Sequence, residues 1–86
     1  MPYVTHGARQ RIDAGGVPQT AGELNYAFTR LIVKYVDSKG LSYGTCADIE
    51  AAGQGALREF YRRVVGPMED EKIKQNGDID GYQSSI

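Results

Sequence analysis

An all-α fold is the structure that this sequence predicts, and three observations lead to it. Two long segments, residues 21–39 and 45–65, carry apolar residues at intervals of three and four, the spacing of one helix face. Residues that cap helices lie at the ends of both segments. A shorter segment at 67–76 has its acidic residues first and basic residues later, as a helix favours. We expect a single domain over residues 1–86, with the two long helices in a central antiparallel hairpin followed by a short C-terminal helix.

The first 19 residues are expected to form a loosely structured arm, because they hold three glycines, two prolines and few apolar residues. Within this arm, Thr5 can cap a short helix that runs to about Asp13. The pair Gly15-Gly16 would end that helix.

The second segment has the clearest helix signals. Thr20 and Glu23 match a capping box, in which the two side chains satisfy the first free N–H groups of a helix. Lys39 lies in the last turn, where a cation is favourable, and Gly40 can take the left-handed conformation that ends a helix. The apolar stripe that we expect to face the core comprises Leu24, Phe28, Leu31, Ile32, Tyr35 and Val36.

The third segment combines a second stripe with a run of small residues. Ser42 or Thr45 can cap this helix, and Gly66-Pro67 is expected to stop it. Two glycines inside the run AAGQGA each cost about 1 kcal/mol of helix propensity relative to alanine. Packing must offset that cost, and small side chains would let another helix approach closely. The stripe comprises Ile49, Ala52, Gly53, Ala56, Leu57, Phe60 and Val64.

Pro67 can begin the last helix, because a residue in the first turn donates no N–H hydrogen bond within the helix and proline lacks that N–H. The acidic residues at 69–71 lie in that first turn, and Asn76-Gly77 is expected to end the helix. Residues 78–86 then form an acidic tail.

Composition excludes several kinds of stabilisation and several classes of protein. A single cysteine and a single histidine permit neither a disulfide nor a zinc cluster. A chain of 86 residues buries a modest core, so homo-oligomerisation is the remaining usual source of stability. With ten basic and eleven acidic residues, the chain has no net positive charge that would attract nucleic acid or an anionic membrane. No apolar run nears the roughly 20 residues of a membrane span, and a lone thiol suits a reducing compartment, so we expect a cytoplasmic protein.

No catalytic constellation is evident in the sequence. Cys46 has no histidine near it to activate it, so a small residue at a helix start is favoured over a reactive thiol. The carboxylates at 69–71 suit a first helical turn, which explains them without metal or acid–base chemistry. The stretch 76–80 resembles part of a calcium loop but lacks the ligand frame of about twelve residues. We expect no enzyme activity, no metal and no cofactor.

Arginines of the third segment are the best candidates for ligand binding. Counting around an α-helix places Arg58 and Arg62 nearly opposite the apolar stripe and Arg63 at its edge. A guanidinium at that edge would be partly buried and would need a partner. Glu59, four residues earlier, is the simpler partner; an anion or a carboxylate of another subunit, held bidentately, is the alternative.

Exposed tyrosines and valines suggest an interface. On the second segment, Tyr26, Arg30 and Val33 fall opposite the apolar stripe; on the third, Tyr61 and Val65 fall away from its stripe. Tyrosine and arginine are enriched where proteins bind one another. The candidate binding residues are therefore Arg63, Tyr61, Arg62, Tyr26 and Arg30.

Three stretches of the chain resemble a known family: GELNY from Gly22, KGLSY from Lys39 and EFYRRVVGPMEDEKIKQNGD from Glu59. They are similar to small uncharacterised proteins of bacteriophages and prophages, and the pattern YRRVV-x-P-x-ED-x-KI-x-x-NGD is the specific part. The resemblance implies phage origin and a compact helical protein, with no catalytic residues to transfer. This chain departs from the family pattern at 49–57, where relatives are bulkier, and at Met68, where an aromatic residue is common.

The predicted function is a non-catalytic accessory binding protein of a phage or prophage, assembled with itself and acting on a host protein or host defence in the cytosol. One alternative is a sponge that holds a small anionic ligand, such as a cyclic nucleotide immune signal, between subunits, by analogy with other small helical phage proteins. A second is a weak nucleic-acid-binding module, which the acidic tail disfavours. No membrane partner is expected.

Overall fold

The computed structural model describes residues 3–82, and over that range it is helical without strands, which confirms the all-α prediction. The chain divides into two compact units, Met1–Ile49 and Glu50–Ile86, which are described in turn. None of the helices among the described residues combines the length and the apolar character needed to cross a membrane. The elements are α1 (His6–Asp13), α2 (Ala21–Lys39), α3 (Tyr43–Phe60), a π-helical turn (Tyr61–Val65) and α4 (Gly66–Asn76).

The N-terminal arm of the first unit is held to α2 by side chains of α1. The Thr5 hydroxyl accepts the N–H of Ala8 at 3.1 Å and so caps α1 as predicted. Arg11 donates to the carbonyl of Val17 at 2.7 Å and forms an ion pair with Glu23 of α2. The described part of the arm is therefore fastened, in contrast to the loose segment expected, because charge-assisted contacts compensate for its few apolar residues.

Helix α2 has the bounds that its capping residues predict. The Thr20 hydroxyl accepts the N–H of Glu23, and the Glu23 carboxylate accepts the N–H of Gln19, each at 3.1 Å. Gly40 closes the helix with φ of 84°, and its N–H donates to the carbonyl of Val36 at 2.7 Å. The prediction of a helix over 21–39 is confirmed.

The face of α2 that contacts α1 is the polar one. Gly22, Glu23, Tyr26 and Ala27 are half-buried there. Of the predicted core stripe, Tyr35 and Val36 are half-buried. The other four residues stay open, with exposed fractions of 45% at Leu24, 53% at Phe28, 67% at Leu31 and 43% at Ile32. We call these last four residues the α2 stripe.

The predicted antiparallel hairpin of the second and third segments is present in neither unit. Within the first unit α2 packs against α1, and within the second the helix continues through the π-helical turn into α4. The physical reason lies in α1, whose charged side chains find partners on the polar side of α2. The sequence patterns identify both amphipathic helices, and within the first unit the helix that packs against α2 is α1.

Helix α3 begins at a side-chain cap. The Ser42 hydroxyl accepts the N–H of Thr45 at 3.0 Å, so Ser42 is the cap of the two candidates. The Thr45 hydroxyl donates to the carbonyl of Gly40 at 2.8 Å, and Thr45 is only 7% exposed. Thr45 therefore joins the end of α2 to the start of α3 within the first unit.

The second unit remains helical through the predicted stop at Gly66-Pro67, so that prediction is wrong. The N–H of Gly66 reaches the carbonyl of Tyr61, five residues back, which is π-helical spacing. A proline in an ordinary helix clashes with the carbonyl four residues earlier, and the wider π-helical turn just before Pro67 relieves that conflict. Helix α4 then ends at Asn76 as predicted, with Gly77 at φ of 82°.

The two interior glycines of α3 contact nothing in this chain. A Cβ built on Gly53 or Gly55 meets no atom within 4 Å beyond its own helical backbone. The close helix approach predicted at AAGQGA is therefore absent among the described residues, and the cost of the two glycines is not offset there.

Alanine at these two glycines should stabilise the isolated chain. Because no atom crowds the new methyl group, Gly53→Ala and Gly55→Ala should each raise the free energy of unfolding by about 1 kcal/mol. Gly40→Ala is the matched control, since its φ of 84° strains an L-residue and should cost about 1–2 kcal/mol. Urea denaturation followed by circular dichroism measures all three; a loss of stability at position 53 or 55 would reveal a contact with another molecule.

Candidate binding surfaces

The five candidate binding residues separate into two groups. Tyr26 and Arg30 belong to the first unit, and Tyr61, Arg62 and Arg63 belong to the π-helical turn of the second. Each group is described within its own unit.

The first group surrounds a carboxylate of α1. The Tyr26 hydroxyl lies 2.9 Å from both carboxylate oxygens of Asp13, and Arg30 Nε lies 3.7 Å from Asp13 Oδ1. The guanidinium of Arg9 lies over the Tyr26 ring, 5.9 Å from its centroid, which is a cation–π distance. Tyr26 and Arg30 do lie opposite the α2 stripe as predicted, but that face contacts α1, so their polar groups are already engaged.

Ionisation of Tyr26 reflects this position. Partial burial raises the pKa of the phenol above its ordinary value, and the hydrogen bond to Asp13 raises that pKa further. Both causes favour the neutral phenol, which is the form that donates to the carboxylate. Tyr26 is therefore a structural donor at neutral pH.

A shallow cavity of about 240 Å³ lies beside the Asp13 cluster. Arg30 and Lys34 contribute the cationic part of its wall, and Leu31 of the α2 stripe forms another part of it. The cavity therefore extends the apolar α2 stripe toward the end of α1. The remaining lining residues are Ile12, Asp13, Gly15, Gly16, Pro18 and Ala27.

The second group is exposed and internally paired. Arg63 Nε lies 3.0 Å from Glu59 Oε1, and Arg62 lies 3.6 Å from Glu59 Oε2. The Arg63 side chain is 66% exposed, so the predicted partial burial is wrong, whereas the simpler of its two predicted partners is confirmed. An α-helical count misplaces this residue because the π-helical turn changes the angle per residue after Phe60.

Tyr61 connects the π-helical turn to α4. Its hydroxyl donates to Glu69 Oε1 at 2.6 Å, a short charge-assisted hydrogen bond. This hydrogen bond raises the pKa of the phenol, and the negative charges of Glu69 and Asp70 add to the effect. Sequence reasoning missed the contact, because an eight-residue spacing joins two side chains only when the helix continues past Pro67.

The second unit exposes an apolar stripe of its own. Its members are Leu57, Phe60, Val64 and Met68, whose exposed fractions are 63%, 56%, 42% and 64%. We call them the C-terminal stripe. The predicted stripes include the α2 stripe and, of the C-terminal stripe, Leu57, Phe60 and Val64. The sequence patterns treat these residues as core, whereas the structure exposes them.

Groups suited to metal or thiol chemistry are sparse in the part of the chain that is described. Residues 3–82 contain no cluster of three or more histidine, cysteine, aspartate or glutamate side chains arranged to hold a metal ion. Cys46 is exposed on α3 as a free thiol.

Comparison with known proteins places the chain in a family without assigning an activity. Residues 1–79 match the family model described as a domain of unknown function, DUF6899, and the chain belongs to that family. No curated protein and no solved structure gives a significant match. The binding surfaces must therefore be interpreted from their own chemistry.

Removal of the Arg63 charge should have little effect on stability. An exposed pair with Glu59 contributes less than about 1 kcal/mol, so Arg63→Ala should change the free energy of unfolding by no more than that amount. Arg62→Ala, at the more distant contact, serves as the control. A much larger loss in Arg63→Ala by urea titration would show that Arg63 has a second partner outside the described contacts.

Replacement of Glu69 should make Tyr61 more acidic. Glu69→Gln removes the carboxylate that raises the pKa of Tyr61, so that pKa should fall toward 10.0. Because the folded-state pKa is raised, the stabilisation by this contact is present below the unfolded pKa and is lost as pH rises through the folded one. Carbon NMR of labelled tyrosine rings across this pH range measures the shift; an unchanged pKa would show that Glu69 is not its cause.

Proposed function

We propose that this protein is a non-catalytic binding protein that assembles with itself and engages a protein partner through exposed helix faces. The observation that carries the proposal is the α2 stripe, whose four large apolar side chains are 43–67% exposed while the polar side of the same helix contacts α1. An apolar helix face that is exposed to solvent is stabilised when another molecule covers it.

The size of the α2 stripe supports binding. Taking roughly 200 Å² for a large apolar side chain, the stripe exposes about 400 Å² of contiguous apolar surface. Single exposed apolar residues are ordinary in monomeric proteins, whereas a contiguous patch rimmed by polar residues is typical of an interaction site. Thr29, Lys34 and Asp37 provide polar neighbours on the same helix. A protein surface of mixed apolar and acidic character would match this patch.

Phage or prophage origin is the second part of the proposal. It is supported by the resemblance over residues 59–78. On this proposal the partner is a host protein in the cytosol, such as a component of host defence.

Binding of a small anion at the π-helical turn is a second candidate. The adjacent guanidinium groups of Arg62 and Arg63 are 70% and 66% exposed, and Tyr61 offers a ring beside them. A phosphate of a cyclic nucleotide would have to displace Glu59 from both arginines, which lowers the affinity expected for such a sponge. Nucleic acid is a weaker candidate still, since 69–71 place three acidic residues next to the arginines. Calorimetric titration with cyclic di- and trinucleotides tests the sponge, and an absence of heat would exclude it.

Photo-crosslinking from α2 tests the leading proposal. A photoreactive amino acid in place of Leu31, within the α2 stripe, should form a discrete adduct with a host protein in living cells. The same amino acid in place of Val33, which lies off the stripe on the same helix and is 38% exposed, is the matched control. Mass spectrometry identifies the adducts. The absence of any host adduct at position 31, or equal labelling from position 33, would contradict a partner on the α2 stripe.

A further inference from the structure

We propose that the cavity beside the α2 stripe binds one aromatic side chain of the partner protein, with an acidic residue next to it in the partner's sequence. The inference rests on the proposed partner of the α2 stripe and adds to it a point of attachment and the chemistry that this point selects. All residues that it invokes belong to the first unit.

The floor of the cavity is apolar. Ile12 of α1, Pro18 in the loop that follows α1, and Ala27 of α2 line it, and all three are half-buried. Leu31, which is 67% exposed, lines the cavity and also belongs to the α2 stripe. The apolar surface of the stripe therefore continues into the cavity without a break.

The volume of the cavity is suited to a single aromatic ring. An enclosed apolar cavity of about 150 Å³ holds benzene, and this cavity measures about 240 Å³. The remaining space accommodates the carbon atom that joins a ring to its backbone. Sites for larger small molecules measure roughly 300–1,000 Å³. The cavity is therefore large enough for one side chain and small for a nucleotide.

The rim of the cavity has an excess of positive charge. Arg30 and Lys34 lie one helical turn apart on α2, and among the lining residues Asp13 is the carboxylate that opposes them. Both oxygens of Asp13 already accept the Tyr26 hydroxyl, at 2.9 Å. Within residues 3–82, the Lys34 ammonium has no hydrogen bond or ion pair. A carboxylate of the ligand can therefore reach Lys34 without displacing another group.

The two cations also favour an aromatic ring over an aliphatic side chain. The face of a ring attracts an ammonium or guanidinium that lies within about 6 Å of its centroid. A ring on the floor of the cavity would lie beside a rim that carries two such groups. The first unit already contains one contact of this kind, between Arg9 and the Tyr26 ring at 5.9 Å. The ligand chemistry that fits is therefore an aromatic ring joined to a carboxylate.

Continuity with the α2 stripe assigns this ligand to a protein partner. Binding energy at protein interfaces is concentrated in a few aromatic anchors that fill pockets, surrounded by contacts that exclude water. Because the cavity and the stripe share Leu31, one partner surface can cover both. An aromatic residue beside aspartate or glutamate would fill the cavity and pair with Lys34, while other apolar residues of the partner cover the stripe.

Phenylacetate is a minimal probe of this chemistry. In the nitrogen-15-labelled wild-type protein it should shift the backbone amide resonances of residues 12–17 and 27–34, with a dissociation constant on the order of 1–10 mM for a fragment of its size. Acetate lacks the ring and benzyl alcohol lacks the carboxylate, so each should bind at least about fivefold more weakly. Equal affinity of either analogue, or shifts spread evenly over the chain, would contradict the proposed ligand.

Lys34→Glu tests the cationic rim. It should weaken phenylacetate binding about tenfold, because it removes the ammonium and adds a carboxylate that repels the ligand. Lys39→Glu makes the same charge change on the same helix, outside the cavity lining, and should keep the affinity within about twofold. Circular dichroism checks that both variants keep their helical content. An equal loss of binding in the two variants would contradict binding at the cavity.

Photo-crosslinking separates this inference from the proposed function. A photoreactive amino acid in place of Phe28, which is in the α2 stripe but outside the cavity lining, reports the partner without filling the cavity. Lys34→Glu should reduce its host adduct several-fold, and Lys39→Glu should not. A host adduct that Lys34→Glu leaves unchanged contradicts the anchor in the cavity and leaves the partner on the rest of the stripe. Phenylacetate binding without any host adduct contradicts both the partner anchor and the proposed function, and assigns the cavity to a free aromatic acid.

Discussion

The carboxylate of Asp13 is the constraint on which the first unit depends. It accepts the Tyr26 hydroxyl at 2.9 Å from both oxygens and lies 3.7 Å from Arg30. The ion pair of Arg11 and Glu23 also lies between α1 and the side of α2 that faces it. These polar contacts occupy one side of α2, and the apolar α2 stripe is exposed on another. The exposure of the α2 stripe therefore goes together with the contact of α1 on the other side of the helix.

This arrangement leaves the chain with little apolar burial of its own. Among residues 3–82, Val4 is the buried apolar residue, at 4% exposure, and Thr45 the buried polar one. Fixing a backbone costs about 1–2 kcal/mol per residue, which folded domains offset mainly by removing apolar surface from water. The two exposed stripes are the surface available for that purpose. Self-assembly would therefore serve stability as well as function, as it does for many small chains.

Local signals in the sequence account for most helix ends. The features that sequence reasoning missed depend on which parts of the chain contact one another in three dimensions. Thr5, Ser42 and the glycines at 40 and 77 act where side-chain caps and left-handed residues predict, since these effects span only one turn. The stripes also lie where periodicity places them. Periodicity cannot say what covers a stripe, and neither unit contains the expected hairpin. The π-helical turn could not be predicted, because Gly66-Pro67 ordinarily ends a helix. The exposure of Arg63 and the contact of Tyr61 with Glu69 depend on this turn, so sequence reasoning missed them as well.

Thermal unfolding at several protein concentrations tests most directly whether a second copy completes the burial. If folding and assembly are coupled, mass action raises Tm as the concentration of chain increases. We predict a steady rise of several degrees between low micromolar and high micromolar concentration, together with a molecular mass above 9.4 kDa for the folded state. A Tm independent of concentration, in a chain that remains a 9.4 kDa monomer, would contradict the account.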